Sequence, residues 1–168
     1  MKLNSKKYPN IEYEKGEGIF LSPDETTTSF YLDIEDELTA NEAAMAVVAS
    51  TLDEADTLIK TAKDFLKKVL SDEDNEYYET IASFMKFHRD DIDSDTVAKL
   101  FPVNNPSAIS FSEMIDYLEL NRLGSLIDAE SDQQVFVMDL SFNPDVTDEL
   151  IVIYFDLEKE IYSIEHES

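Results

Sequence analysis

The chain has 168 residues, with 38 Asp and Glu against 13 Lys and Arg, so its formal net charge is -25 at pH 7. Such a charge repels phosphate backbones, whose binding depends on Lys and Arg, and therefore argues against nucleic acid as a partner. Because the chain has no cysteine, disulfides, thiolate nucleophiles and cysteine-ligated metal sites are excluded.

Hydrophobic residues make up 43% of the chain, including ten Phe and eight Tyr. This content is too high for a disordered acidic tail and predicts a single folded domain over residues 1–168, with residues 1–9 as a candidate mobile arm. The basic residues 1–7 are not followed by an apolar signal segment, and no stretch approaches ~18 consecutive apolar residues. We therefore expect a cytoplasmic protein that does not enter a membrane.

The N-terminal part is predicted to form strands. Residues 18–21 and 28–34 flank a turn at residues 22–25, and Phe30, Leu32 and Ile34 share one face of the second strand because side chains alternate along a strand. This pattern predicts a β-hairpin. Residues 11–14 show a similar alternation.

A long helix is predicted over residues 40–70. Thr39 and Glu42 have the spacing of a capping box, and apolar residues then recur every three or four positions as far as Val69. A second capping box at Thr51 and Glu54 leaves a break near Thr51 open. The stripe suits a helix packed on a core, and the alternative is a coiled-coil dimer.

Shorter helices are expected after it. Residues 77–88 form an amphipathic stripe, residues 94–101 a short turn, and Ser110 with Glu113 a capping box for a helix that Gly124 ends.

The C-terminal part returns to strands, at residues 135–142, 149–155 and 160–165. Strands, then helices, then strands predict an α+β fold. In this architecture an antiparallel sheet, made of the N-terminal hairpin and a C-terminal three-strand meander, is covered on one face by the long helix and the shorter helices.

The chemistry of the side chains gives little sign of catalysis. Asp91, Asp93 and Asp95 resemble the opening of a calcium loop, but Thr96 and Pro102 stand where that loop needs glycine and a bidentate glutamate. We interpret these acids as a solvated helix N-terminus and predict no metal site and no cofactor.

The chain has two histidines, His88 and His166. His88 lies on an apolar helix face, where a residue at the edge of the core is expected, and His166 is expected to be frayed near the end of the chain. Glycine-rich phosphate loops and nucleophile elbows are absent from the sequence, so we predict no catalytic residues.

The C-terminal pattern of residues 147–156, a polar turn, residues 161–164 and the final Glu-Ser pair resembles a bacterial family of uncharacterised acidic proteins. This is the domain of unknown function numbered two thousand and four, and residues 77–88 and 118–124 are compatible with it. The resemblance implies no activity. Some similar small acidic bacterial proteins act as immunity partners of secreted toxins, and this analogy is associational.

These observations favour a non-enzymatic protein whose acidic surface binds and neutralises a basic protein partner. The densest acidic clusters are the predicted partner-binding residues: Asp72, Glu73, Asp74, Asp90, Asp91, Asp93 and Asp95. The plainer interpretation of the charge is that it keeps the protein soluble. Two other functions stay open: an oligomeric scaffold organised by the long helix, and a hydrolase that uses carboxylates with or without a metal.

Overall fold

The computed structural model describes residues 1–21 and 30–168. Within them a six-stranded, mostly antiparallel sheet has its strands in sequence order, from β1 to β6. The strands are β1 Ile19–Leu21, β2 Phe30–Ile34, β3 Glu119–Asp128, β4 Gln133–Ser141, β5 Leu150–Phe155 and β6 Ile161–Glu167. Together with the helices between β2 and β3, this sheet confirms the α+β fold.

Six α-helices lie between the two groups of strands in the described part of the chain. They are α1 Asp36–Thr39, α2 Glu42–Asp53, α3 Ala55–Leu70, α4 Tyr78–Lys86, α5 Ser94–Leu100 and α6 Phe111–Ile115. A π-helical turn at Phe87–Asp91 follows α4, and a 3-10 turn at Pro106–Ala108 precedes α6.

The chain divides into two compact units. Unit 1 comprises residues 1–58, 122–138 and 154–163, and unit 2 comprises residues 59–121, 139–153 and 164–168. The single-domain organisation expected from the sequence stays a prediction.

In unit 1 the predicted hairpin is confirmed, since β1 pairs antiparallel with β2 and places Ile19 opposite Ile34. Phe30, Leu32 and Ile34 are buried on one face, as the alternation predicts. The turn expected at residues 22–25 lies outside the described residues. Residues 11–14 form only a bridge, between Lys2 and Glu12, among the residues described.

The N-terminal arm packs within unit 1. Leu3 and Ser5 are buried, and the Asp53 carboxylate accepts hydrogen bonds from the Ser5 hydroxyl and from the backbone N–H groups of Lys6 and Lys7, at 2.7–3.0 Å. Burial would raise the pKa of Asp53, but these hydrogen bonds and the Lys6 charge hold it below its usual value.

The predicted long helix is divided at Glu54 into α2 and α3. The hydroxyls of Ser50 and Thr51 both donate to the carbonyl of Val47, a contact that bends helices. The break that the sequence left open therefore exists, three residues beyond Thr51.

The start of that helix was predicted wrongly. Asn41 is the N-cap of α2, because its side chain accepts the N–H of Ala44. Thr39 instead ends α1, where its hydroxyl donates to the carbonyl of Asp36 and accepts the N–H of Gly16. The Thr39 hydroxyl is engaged by Asp36 and Gly16 and therefore does not cap α2, although the spacing of Thr39 and Glu42 fits a capping box.

Strand β3 was missed by the sequence analysis. Ser110 does cap α6 and accepts the N–H of Glu113, but α6 ends at Ile115, and Gly124 lies inside β3. There the ring of Tyr31, on β2, lies against Gly124, and a Cβ atom on Gly124 would stand 2.4 Å from it. The glycine thus serves the close approach of two strands, and does not end a helix.

The pairing of β2 with β3 is parallel and aligns Phe30 with Leu123 and Leu32 with Ser125. A buried polar contact supports it from β4, where the Gln134 amide donates to the carbonyl of Asp33 and to the Ser125 hydroxyl, both at 2.8 Å. Parallel strands require a long crossover, which α1 to α6 supply.

The three predicted C-terminal strands are confirmed as β4, β5 and β6 within a few residues of their expected ends. Strand β4 is buried at every position from Gln134 to Ser141, as expected where both faces of a strand are covered.

A candidate partner-binding cleft

The predicted acids Asp90 and Asp91 lie in a π-helical turn of unit 2, and Asp93 and Asp95 follow it. Helix α4 buries Ile81, Phe84 and Met85, and the turn that continues it has His88 buried and both Asp90 and Asp91 exposed. Single π-helical turns often occur at functional sites. Here the turn lets one short segment carry both a core residue and surface acids.

His88 is fully buried, and both of its ring nitrogens have hydrogen-bond partners. Nδ1 lies 2.8 Å from the carbonyl oxygen of Phe84, and Nε2 lies 3.0 Å from the hydroxyl of Thr147. Because a carbonyl only accepts, Nδ1 carries the proton of the neutral ring, and Nε2 accepts from Thr147. His88 therefore joins α4 to the loop after β4 as part of the core, deeper than the core edge expected for it.

We expect His88 to make stability depend on pH. Burial lowers the pKa of His88 below its usual value of 6.5, against the opposing effect of the Phe84 carbonyl. The unfolded chain takes up this proton near pH 6.5 and the folded chain only at lower pH, so the contribution is complete above pH 6.5 and is lost as the pH falls. Urea unfolding from pH 7.5 to 5.5 should show the free energy of unfolding falling.

The matched variant for this measurement is His88→Asn, which removes the titrating group and keeps a polar side chain. We expect the variant to be less stable at pH 7.5 and to have a flatter pH dependence than the parent. Equal slopes for the two proteins would contradict the assignment to His88. His166→Asn serves as the control for the other histidine.

The frayed end predicted for His166 is wrong. His166 lies in β6, where Nε2 pairs with the Glu149 carboxylate and the ring stands edge-on to Phe84 at 5.3 Å between centroids. Strand pairing and this hydrogen bond hold a residue whose position in the sequence suggested that it was unconstrained.

A cleft of about 430 Å³ opens beside the π-helical turn. Its acidic lining residues are Asp93 from the segment before α5 and Asp145, Asp148 and Glu149 from the segment before β5. The apolar part of the wall consists of Phe87, Ile92, Pro144 and Val146. A cleft that combines carboxylates with apolar surface suits a cationic side chain with an aliphatic stem.

The structure places the predicted acids in several roles. Asp93 is the N-cap of α5, and its carboxylate accepts the N–H and the hydroxyl of Thr96, which lower its pKa. This confirms the interpretation of a helix N-terminus. Arg89 donates twice to Asp90 and lowers its pKa, and Lys86 donates to Asp91.

Of the seven predicted acids, only Asp93 lines this cleft. Asp95 is exposed in the first turn of α5. Asp72, Glu73 and Asp74 are exposed in the turn after α3, where the Asp72 carboxylate accepts the N–H of Asp74. They stay predicted partner-binding residues without a described cavity.

The sequence analysis missed Asp145, Asp148 and Glu149 as members of the site. They are distant in sequence from Asp93 and line the same cleft in the folded chain, where the Thr147 hydroxyl between them bonds to His88. The signal that could have found them is the polar loop at residues 143–148, since loops carry binding residues more often than strands do.

A group of three carboxylates stands apart, in unit 1, at the turn between β5 and β6. Oxygen atoms of Asp156, Glu158 and Glu160 lie within 4.8 Å of one another. The Asp156 carboxylate accepts the backbone N–H groups of Glu158 and Glu160, so its role in the turn accounts for its position.

Comparisons with known proteins add no relative. Searches of protein-family models, curated proteins and solved structures each found no match. The resemblance described from the C-terminal pattern stays a prediction. In the described residues, no helix combines the length and the apolar character needed to cross a bilayer.

Proposed function

We propose that this protein is a non-enzymatic cytoplasmic protein that binds and neutralises a basic protein, in the manner of an immunity protein. One observation carries the proposal: in both units the acidic side chains of the described residues lie almost entirely outside the core. Among the described residues, Asp139 is the one acidic side chain that is buried. A chain with a net charge of -25 attracts cationic partners over a distance and rejects acidic ones.

The cleft beside the π-helical turn is the favoured contact point. Its lining includes four carboxylates and no Lys or Arg. Of these four carboxylates, Glu149 is already engaged by His166. The charges offered to a partner are therefore those of Asp93, Asp145 and Asp148. A basic side chain of a partner would therefore meet carboxylates there without competition from a cation in the lining.

Neutralising the cleft should slow partner association about tenfold at low ionic strength. The variant is Asp93→Asn, Asp145→Asn and Asp148→Asn, which removes three charges and keeps a competent N-cap at position 93. The protein and its variants would be used as baits in extract of the native cell, followed by association kinetics with the basic protein that is recovered. Raising the salt concentration should reduce the parent's association rate, since surface charges are screened.

The matched control is Asp72→Asn, Glu73→Gln and Asp74→Asn, which removes the same three charges from the turn after α3. We expect a smaller loss than in the cleft variant, because no cavity is described at this turn; a larger loss would instead place the contact at the acids after α3 that the sequence predicts. Equal losses in both variants would assign binding to total charge and not to the cleft. Recovery of no basic protein by the parent, or binding that salt does not affect, would refute the proposed function.

A further inference from the structure

A second surface of unit 2 lies at the edge of the sheet. Strand β6 stands last in the strand order, so among the described strands it has a neighbour, β5, on one side. An edge strand presents backbone N–H and C=O groups to which another extended chain can pair. Natural edges are often protected by charged side chains or proline. The β6 sequence IYSIEHE has no lysine or proline, and its charged residues include Glu165 and Glu167, which disfavour acidic chains but not basic ones.

A groove of about 740 Å³ runs beside this edge. One wall is Glu79, Thr80 and Ser83 of α4, and the other is the four consecutive residues 164–167 of β6. Because alternate side chains of a strand point to opposite faces, consecutive residues line one groove when the backbone edge itself forms the wall. The groove therefore follows the hydrogen-bonding edge of β6.

The charges of the groove select its occupant. Glu79, Glu165 and Glu167 are exposed carboxylates in the lining, which includes no Lys or Arg. Glu165 and Glu167 are two residues apart and so share one face of β6. In an added strand, lysine or arginine at every second position would stand opposite them, and opposite charges across strands stabilise the pairing.

We propose that β6 accepts an extended segment of a basic protein, with Lys or Arg at alternate positions, as a seventh strand of the sheet. This inference rests on the proposed function and names the form in which the partner binds. A second copy of this chain is a poorer occupant, because it would bring a net charge of -25 and its own Glu165 and Glu167 against the same carboxylates.

The test uses a short synthetic peptide in which lysine alternates with valine and threonine. Fluorescence anisotropy measures its affinity for the full chain, and amide hydrogen exchange locates it. Binding should protect the amides of residues 161–167. A peptide of the same composition with its lysines in one block should bind more weakly, and so should a peptide N-methylated at alternate amides, which keeps its charge but loses backbone donors.

Two variants with equal charge locate the site. Glu165→Gln with Glu167→Gln should weaken peptide binding roughly fivefold to tenfold. Glu158→Gln with Glu160→Gln, also two residues apart and exposed, should leave the affinity nearly unchanged. Equal affinity of the alternating and N-methylated peptides, or protection at residues 145–149 in place of β6, would overturn the inference. Concentration-dependent protection of β6 without peptide would show that a second copy occupies the edge and would also overturn it.

Failure of strand addition at β6 can be distinguished from failure of the proposed function. Neutralising Asp93, Asp145 and Asp148 should leave peptide binding at β6 intact. If a basic protein binds the parent chain but the peptides do not, the strand addition fails and the proposed function stands.

Discussion

Replacing Phe142 with alanine is expected to lower the free energy of unfolding by about 3–5 kcal/mol. Phe142 follows β4 and is fully buried. Its ring centroid lies 5.5 Å from that of Phe84, 4.9 Å from that of Phe101 and 4.9 Å from that of His88. The truncation removes contacts with three rings of unit 2, and the helices and strands that hold these rings cannot all move to fill the space.

Urea unfolding followed by circular dichroism would measure this loss. Phe142→Leu is the milder variant if the alanine protein does not fold, and we expect it to be intermediate in stability. Phe20→Ala is the matched control, because Phe20 is 72% exposed and its truncation should cost less than about 0.5 kcal/mol. A similar effect of the two alanine substitutions would contradict the packing described for Phe142.

Replacing Gly124 with alanine is expected to cost about 1–3 kcal/mol, since even one added methyl group overfills the space between β2 and β3. The added Cβ would lie 2.4–2.5 Å from three ring carbons of Tyr31. Arg122 also contacts that ring, because its guanidinium carbon lies over the ring at 5.2 Å from the centroid. The ring must therefore leave a supported position or the strands must separate.

A double-mutant cycle tests whether the ring is the obstacle. With Tyr31→Ala in the background, Gly124→Ala should cost little, because the space above the glycine is then open. Thermal unfolding of the four proteins gives the coupling between the two positions. An undiminished cost in the Tyr31→Ala background would show that the strain does not come from the ring.

The confirmed elements are those with a strong local pattern. Strand β2 alternates apolar and polar residues, and β5 is a continuous apolar run. The strands predicted from these patterns therefore match the observed strands within a few residues. Helix α3 kept its apolar stripe as expected. Its separation from α2 at Glu54 depends on which oxygen accepts the Ser50 and Thr51 hydroxyls, and a capping pattern alone does not specify this.

The wrong assignments involve partners that are distant in sequence. Gly124 resembled a helix end because glycine is common there, but its role comes from the Tyr31 ring on another strand. His166 appeared free near the chain end, yet it pairs with Glu149. In each case the alternative was decided by a contact that local spacing does not encode.

The candidate site was likewise predicted only in part from the sequence. Asp93 was found from the sequence, because a helix start has a recognisable pattern and its carboxylate caps α5. Asp145 and Asp148 were not found, since they line the same cleft as Asp93 only in the folded chain. Their loop contains Thr147, whose hydroxyl bonds to His88.

The amino-acid sequence by itself determined the acidic charge, the absence of cysteine chemistry and the α+β class, because these follow from composition and from periods of a few residues. The tertiary structure alone decided the parallel pairing of β2 with β3, the burial of His88 and the cleft and edge groove of unit 2. Each of these depends on contacts between residues far apart in the chain, whose free energy exists only once the backbone has brought them together.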